Sequence, residues 1–102
     1  MTARTLQVLI NGALVGTLRD ENNIWAFQYD SSWLQTLGAF ELAASIPLKE
    51  GWQVDGSSVR PVQWFFDNLL PEGLMRGVLA KEEGMEPADA FGLLQRLGAE
   101  SA

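Results

Sequence analysis

Cysteine and histidine are both absent from this 102-residue chain. Without thiolate or imidazole it has neither the usual ligands of a zinc site nor a Cys nucleophile, and a Ser-His-Asp triad is excluded with them. The lack of Cys also removes any disulfide framework, so nothing in the composition points to secretion. Basic residues are scarce, seven against thirteen acidic ones, which leaves a formal charge of −6. Such a chain repels a polyanion, so direct nucleic-acid binding is not expected and a basic protein surface would suit it better. The same charge can also serve solubility alone. Long apolar runs are missing as well, and a membrane-spanning helix needs about 20 apolar residues. Met1-Thr2-Ala3-Arg4 lacks the apolar core of a signal peptide. The expectation is a cytoplasmic protein with no membrane contact.

What the chain does have is apolar and aromatic material. Hydrophobic residues make up 47% of it, with four Trp and five Phe, and charged residues 20%. That composition belongs to a packed globule and not to a disordered tail, and the length suits a single domain over 1–102.

The N-terminal third alternates with period two. Leu6, Val8 and Ile10 point one way, Asn11-Gly12 follows, and Val15 and Thr17 resume the alternation. Asn-Gly is the preferred pair for a two-residue type I′ hairpin, because both central residues need positive φ. Strands are predicted at about 5–10 and 13–18. A polar turn at Asp20-Glu21-Asn22-Asn23 leads into a third strand, Ile24 to Tyr29, with alternating aromatic residues. Asp30-Ser31-Ser32 then offers capping oxygens ahead of Trp33, Leu34 and Leu37, so one or two helical turns are expected before Gly38. Phe40 to Leu48 reads as another extended piece limited by Pro47, and Lys49 to Ser58 as a loop.

From Ser58 the period becomes helical. Val62, Phe65, Phe66 and Leu69 recur at i, i+3, i+4 and i+7, and Pro71 interrupts them. A second helix is predicted from Pro71 through Leu74, Met75, Val78 and Leu79 to Gly84. A third spans about Pro87 to Leu97, with Phe91, Leu94 and Leu97 apolar and Gly98 beyond its end. Strands first and helices last predict an α+β fold, a small antiparallel sheet packed with three C-terminal helices.

The first helix carries the candidate site. Trp64 falls off the centre of the apolar stripe, toward Arg60, Asp67 and Asn68. An exposed Trp is costly for solubility and enriched at the energetic centres of interfaces. Trp64, with Arg60, Gln63, Asp67 and Asn68 around it, is the candidate partner-binding face. The alternative is that Trp64 packs under the loop from Lys49 to Ser58 or against Trp52. Trp25, Phe27, Trp33, Phe65, Phe66 and Phe91 occupy positions that suit the core. Asn68 and Glu72 suit a helix junction. Glu82, Glu83, Glu86 and Asp89 match no calcium loop, so they read as a solvated acidic run and no metal is expected. Gly12-x-x-x-Gly16 lies in a hairpin and lacks the Lys of a phosphate loop.

The order of motifs is familiar. Leu6-x-Val8-x-Ile10-Asn11-Gly12, Val15-Gly16-x-Leu18, Tyr29-x-x-x-Trp33-Leu34 and Ser45-Ile46-Pro47-Leu48 resemble the opening of HipA-type serine/threonine kinases from toxin–antitoxin operons. The block Phe65-Phe66-Asp67-Asn68-Leu69-Leu70-Pro71-Glu72-Gly73 with Arg76, then Asp89-x-Phe91-x-Leu93-Leu94 and Gly98, is similar to the same family and is its most specific part. The resemblance implies a kinase core beyond this domain, and the metal ligands and phosphate cradle that phosphoryl transfer needs have no room here, so no enzyme activity and no cofactor are expected. A lone copy resembles the HipS-like antitoxins of three-gene HipBST systems. That resemblance implies a protein that binds and inhibits a separate HipT-like kinase toxin, with a HipB-like helix-turn-helix protein in the same complex. A non-inhibitory subunit that completes a HipA-like kinase is the alternative. An enzyme using carboxylates alone is a remote third, since Asp20, Asp30, Asp55 and Asp67 are scattered.

Overall fold

Two asparagine-based turns set the sheet. A computed structural model of the chain describes residues 3–98, and within it the side chains of Leu97 and Gly98 lie outside the described set. Strand β1 (Arg4–Ile10) turns at Asn11-Gly12 into β2 (Ala13–Glu21), which turns at Asn22-Asn23 into β3 (Ile24–Tyr29). All four turn residues have positive φ, 50° and 81° in the first turn and 53° and 65° in the second. Both are therefore tight two-residue connections of the type I′ kind. The predicted polar turn at Asp20–Asn23 is shorter than expected: Asp20 and Glu21 stay in the ladder, opposite Trp25 and Ile24. β4 (Gln53–Val54) closes an antiparallel sheet of order β1-β2-β3-β4.

The register shifts between Val8 and Leu9, so Val15 has no partner on β1, and the buried positions of β2 beyond it are Gly16, Leu18 and Asp20. Asp20 is 7% exposed and its Oδ2 accepts from Arg4 Nη2, directly across the ladder, at 2.7 Å. Gly16 is required by close approach. A Cβ there would stand 2.3 Å from the Gln28 carbonyl oxygen and 2.5 Å from the Phe27 ring.

Helix α1 (Ser31–Leu34) forms where expected, with Asp30 as its N-cap. The Ser32 hydroxyl and then the Ser32 amide, both donating to Asp30, hold its carboxyl below the usual range. The extended piece predicted for Phe40–Leu48 is not a strand. It is an irregular segment closed by one bridge between Ala43 and Ile46, and the fourth strand lies instead at Gln53–Val54, inside the predicted loop. The segment is held by a side chain of β3: Tyr29 donates its hydroxyl to the Ile46 carbonyl and accepts from the Leu42 amide at 2.9 Å. Those tertiary bonds replace a ladder, which local propensity could not foresee.

The chain divides into two compact units, Met1–Phe65 and Phe66–Ala102. In the first, Val15, Leu18, Trp25, Ala26, Phe27, Tyr29, Trp33, Ile46 and Val62 are buried. Phe65 is half-buried. Trp33 donates Nε1 to the Phe40 carbonyl at 3.2 Å and meets the Phe40 ring edge-on at 5.3 Å. In the second unit, Phe66, Leu70, Ala80, Ala90, Phe91 and Leu93 are buried.

Helix α2 (Pro61–Asp67) starts on a proline and stops earlier than the sequence suggests, leaving Leu69 62% exposed while Leu70 is buried. Helix α3 (Gly73–Glu83) begins two residues after Pro71, which therefore ends the preceding turn instead of opening the helix. Its N-cap, Glu72, is extended and makes no side-chain capping bond. Gly84, left-handed at φ 68°, ends it as expected. Helix α4 (Ala90–Gly98) starts after Asp89, whose carboxylate accepts from the Gly92 amide at 3.2 Å, so Pro87-Ala88 precede the helix and Gly98 lies in it. The result is an α+β fold.

Candidate functional site

The candidate residues cluster along α2 because one buried aspartate starts that helix. Asp55, 5% exposed, directs one carboxylate oxygen to the Val62 amide at 2.8 Å and the other to the Gln63 amide at 2.9 Å. Its own amide donates to the Trp25 carbonyl at 2.9 Å, extending the β3–β4 pairing. A helix of seven residues is too short to persist alone, where about 12–15 are needed. The sheet edge thus supplies the cap that holds α2 in place.

On that helix Trp64 is 53% exposed. Trp52, the packing partner considered for it, carries the Arg19 guanidinium over its ring at 4.4 Å. Arg60 and Gln63 are joined to each other, Nη1 to Oε1 at 3.1 Å, and Arg60 also donates to the carbonyls of Asn23 at 2.9 Å and Ser57 at 3.1 Å. Asp67, at the other end of the helix, pairs with Arg76 Nη1 at 3.0 Å, and Arg76 donates Nε to the Pro71 carbonyl at 2.8 Å. Arg60, Gln63 and Asp67 are thus engaged within the fold, whereas Trp64 and Asn68 face solvent.

The acidic run disperses. Glu83 lies 3.8 Å from Arg96, Asp89 caps α4, and Glu82 and Glu86 are exposed. Among the described residues no three acidic side chains gather into a metal-holding group. An open hollow of about 270 Å³, lined in part by Thr17, Gln28, Asp30, Ser31, Leu34 and Glu50, includes none of the five candidate residues. No described helix is long and apolar enough to cross a membrane.

Sequence reasoning missed Asp55, because the amides that donate to it lie seven and eight residues downstream and only the folded sheet edge brings them together. It also missed the exposure of Leu74, Met75 and Val78 on α3.

These features define a small α+β domain built on an Asn-turned antiparallel sheet, with an aromatic side chain presented from a capped helix. The chain belongs to the HipA N-terminal domain family, which it matches over residues 6–102. It is also 37% identical, over its whole length, to a protein of Sinorhizobium fredii (strain NBRC 101917 / NGR234) named "Putative kinase Y4mE". The chain spans 24% of that relative's length.

Proposed function

We propose that this chain is an antitoxin-like protein, with no catalysis of its own, that binds a HipA-family serine/threonine kinase on another chain and restrains it in the cytoplasm. The observation that carries the reading is Trp64, a large aromatic 53% exposed on a helix whose start is fixed by a buried carboxylate. A rigidly placed, exposed Trp is the kind of side chain that anchors an interface, since little entropy is lost when it inserts. Membership of the HipA N-terminal domain family, and likeness to a protein named a putative kinase, support a kinase as the partner. A HipB-like helix-turn-helix protein handles DNA in the same complex, which suits a chain of formal charge −6.

The test is a titration of purified kinase with wild-type chain and with Trp64→Ala, reading binding and phosphate transfer. Truncation should weaken binding by about 2 kcal/mol or more, roughly 30-fold in Kd, and relieve inhibition. Its melting temperature should hardly change. Full phosphate transfer at saturating wild-type chain would refute inhibition. Competition by nucleotide would indicate cleft filling, and indifference to nucleotide a conformational effect.

A second reading is favoured by the relative, in which a counterpart of this chain is joined to about three times as much further sequence. There the domain would complete a kinase without inhibiting it. A kinase that is insoluble alone and active when mixed with the chain is its signature.

A further inference from the structure

Helix α3 turns its apolar residues outward. Leu74, Met75 and Val78 are 84%, 63% and 46% exposed, while Ala80 is buried. Leu74 and Val78 are four residues apart and Met75 and Val78 three, so the three side chains share one face. Large apolar side chains exposed together on one face, unlike scattered single ones, mark an interaction site.

The charges around it narrow the occupant. Arg76 is taken by Asp67 and the Pro71 carbonyl, and Glu83 faces Arg96. Glu72, Lys81, Glu82 and Glu86 remain, all exposed, three acids against one base. Glu82 follows Val78 by four residues and so prolongs the same stripe. A second copy would bring an equally acidic rim against this one, on top of a whole-chain charge of −6. A patch with Lys or Arg at its border would instead be complementary.

We propose that the outward face of α3 is a second docking surface for the kinase, seating Leu74, Met75 and Val78 on an apolar patch of that protein bordered by basic residues. The proposal rests on the reading that the partner is a HipA-family kinase, and it concerns a contact separate from Trp64. Apolar contact supplies most of the affinity, and Glu82 with its neighbours supplies register and encounter rate.

The experiment compares four full-length chains against purified kinase by calorimetry at low and high salt: wild type, Trp64→Ala, Glu82→Lys, and Leu74→Ser/Met75→Gln/Val78→Thr together. The triple variant should bind about tenfold or more weaker with an unchanged melting temperature. Glu82→Lys should bind about threefold weaker at low salt and lose part of the salt dependence. Should the triple variant melt early, Leu74→Ser alone, at the most exposed of the three positions, is to be used and should weaken binding severalfold. Wild-type affinity in the triple variant, with Trp64→Ala weakened, would overturn the α3 surface and leave the kinase reading standing. Failure of the wild-type chain to bind the kinase would overturn that reading, and this surface with it. Sedimentation of the chain by itself gives the remaining outcome. A dimer that the triple variant dissolves would assign the face to a second copy and overturn the proposal.

Discussion

Replacing Asp55 with Ala should unfasten α2 from the sheet. Asp55 accepts two amide bonds with one carboxylate, and the two donors differ in what they lose. Val62 is 2% exposed, so its N–H would be left without a protein partner and with little access to water. Gln63 is half-buried, and water can recover part of its bond. A bond to a charged acceptor contributes about 1.5–3 kcal/mol, and loss of an ordinary N-cap costs about 1. The substitution should therefore cost about 2–4 kcal/mol, a large share of the roughly 5–15 that a domain possesses. At about 4–8 °C per kcal/mol for a chain of this size, melting should fall by roughly 10 °C or more. Asp55→Asn keeps one acceptor and turns an N–H donor toward another donor, so an intermediate loss is expected. The assay is thermal unfolding followed by far-UV circular dichroism and by fluorescence of the four Trp. Because Trp64 rides on α2, kinase binding should weaken in the same order as stability. An Asp55→Ala chain melting within about 2 °C of wild type would show that the remote cap contributes nothing.

Ionising Tyr29 should release the segment around Leu42–Ile46. Burial, opposed by the Leu42 amide and reinforced by the nearby Glu41 charge, raises its pKa above 10.0. Stability from the neutral phenol is thus complete below pH 10 and lost as pH climbs through the raised value. Tyr29 is the one tyrosine of the chain, so phenolate absorbance reports on it alone, and an ordinary titration midpoint in the folded protein would contradict the burial argument. Tyr29→Phe should cost about 1–3 kcal/mol in urea unfolding, since Ile46 and Leu42 lose a buried partner. Gly16→Ala should cost about 1–3 kcal/mol, because the new methyl meets the Gln28 carbonyl, which cannot move without opening the β2–β3 ladder. A neutral Gly16→Ala would show that the two strands part freely.

The elements easiest to read from the sequence were those fixed by chemistry between near neighbours. Asn11-Gly12 declares a turn because its residues tolerate positive φ, and Asp30 declares a helix start because its carboxylate reaches Ser32. The strand at Ile24–Tyr29 and the helix end at Gly84 follow for the same reason. Errors fell where partners are far apart in the chain. Phe40–Leu48 has an extended composition, yet Tyr29 bonds its Leu42 amide and Ile46 carbonyl, and the short strand β4 exists only because Ala26 and Phe27 of β3 stand ready to pair with Val54 and Gln53. The helical spacing of Leu69 and of Leu74, Met75 and Val78 marked helices without saying where their apolar faces lie, and all four side chains are exposed. Periodicity identifies an apolar face, but it cannot say whether anything inside the same chain covers it.

By itself, then, the sequence determined the family, the fold class, the hairpin turns, the first helix cap and the absence of thiol and imidazole chemistry. Tertiary structure alone decided that Asp55 starts α2, that Tyr29 pins the segment after α1, that Trp64 stands exposed, and that α3 turns its apolar face outward. The division has a physical cause. Turn and cap preferences are settled within a few residues of backbone, whereas burial and remote capping depend on which distant segments meet after the chain has folded.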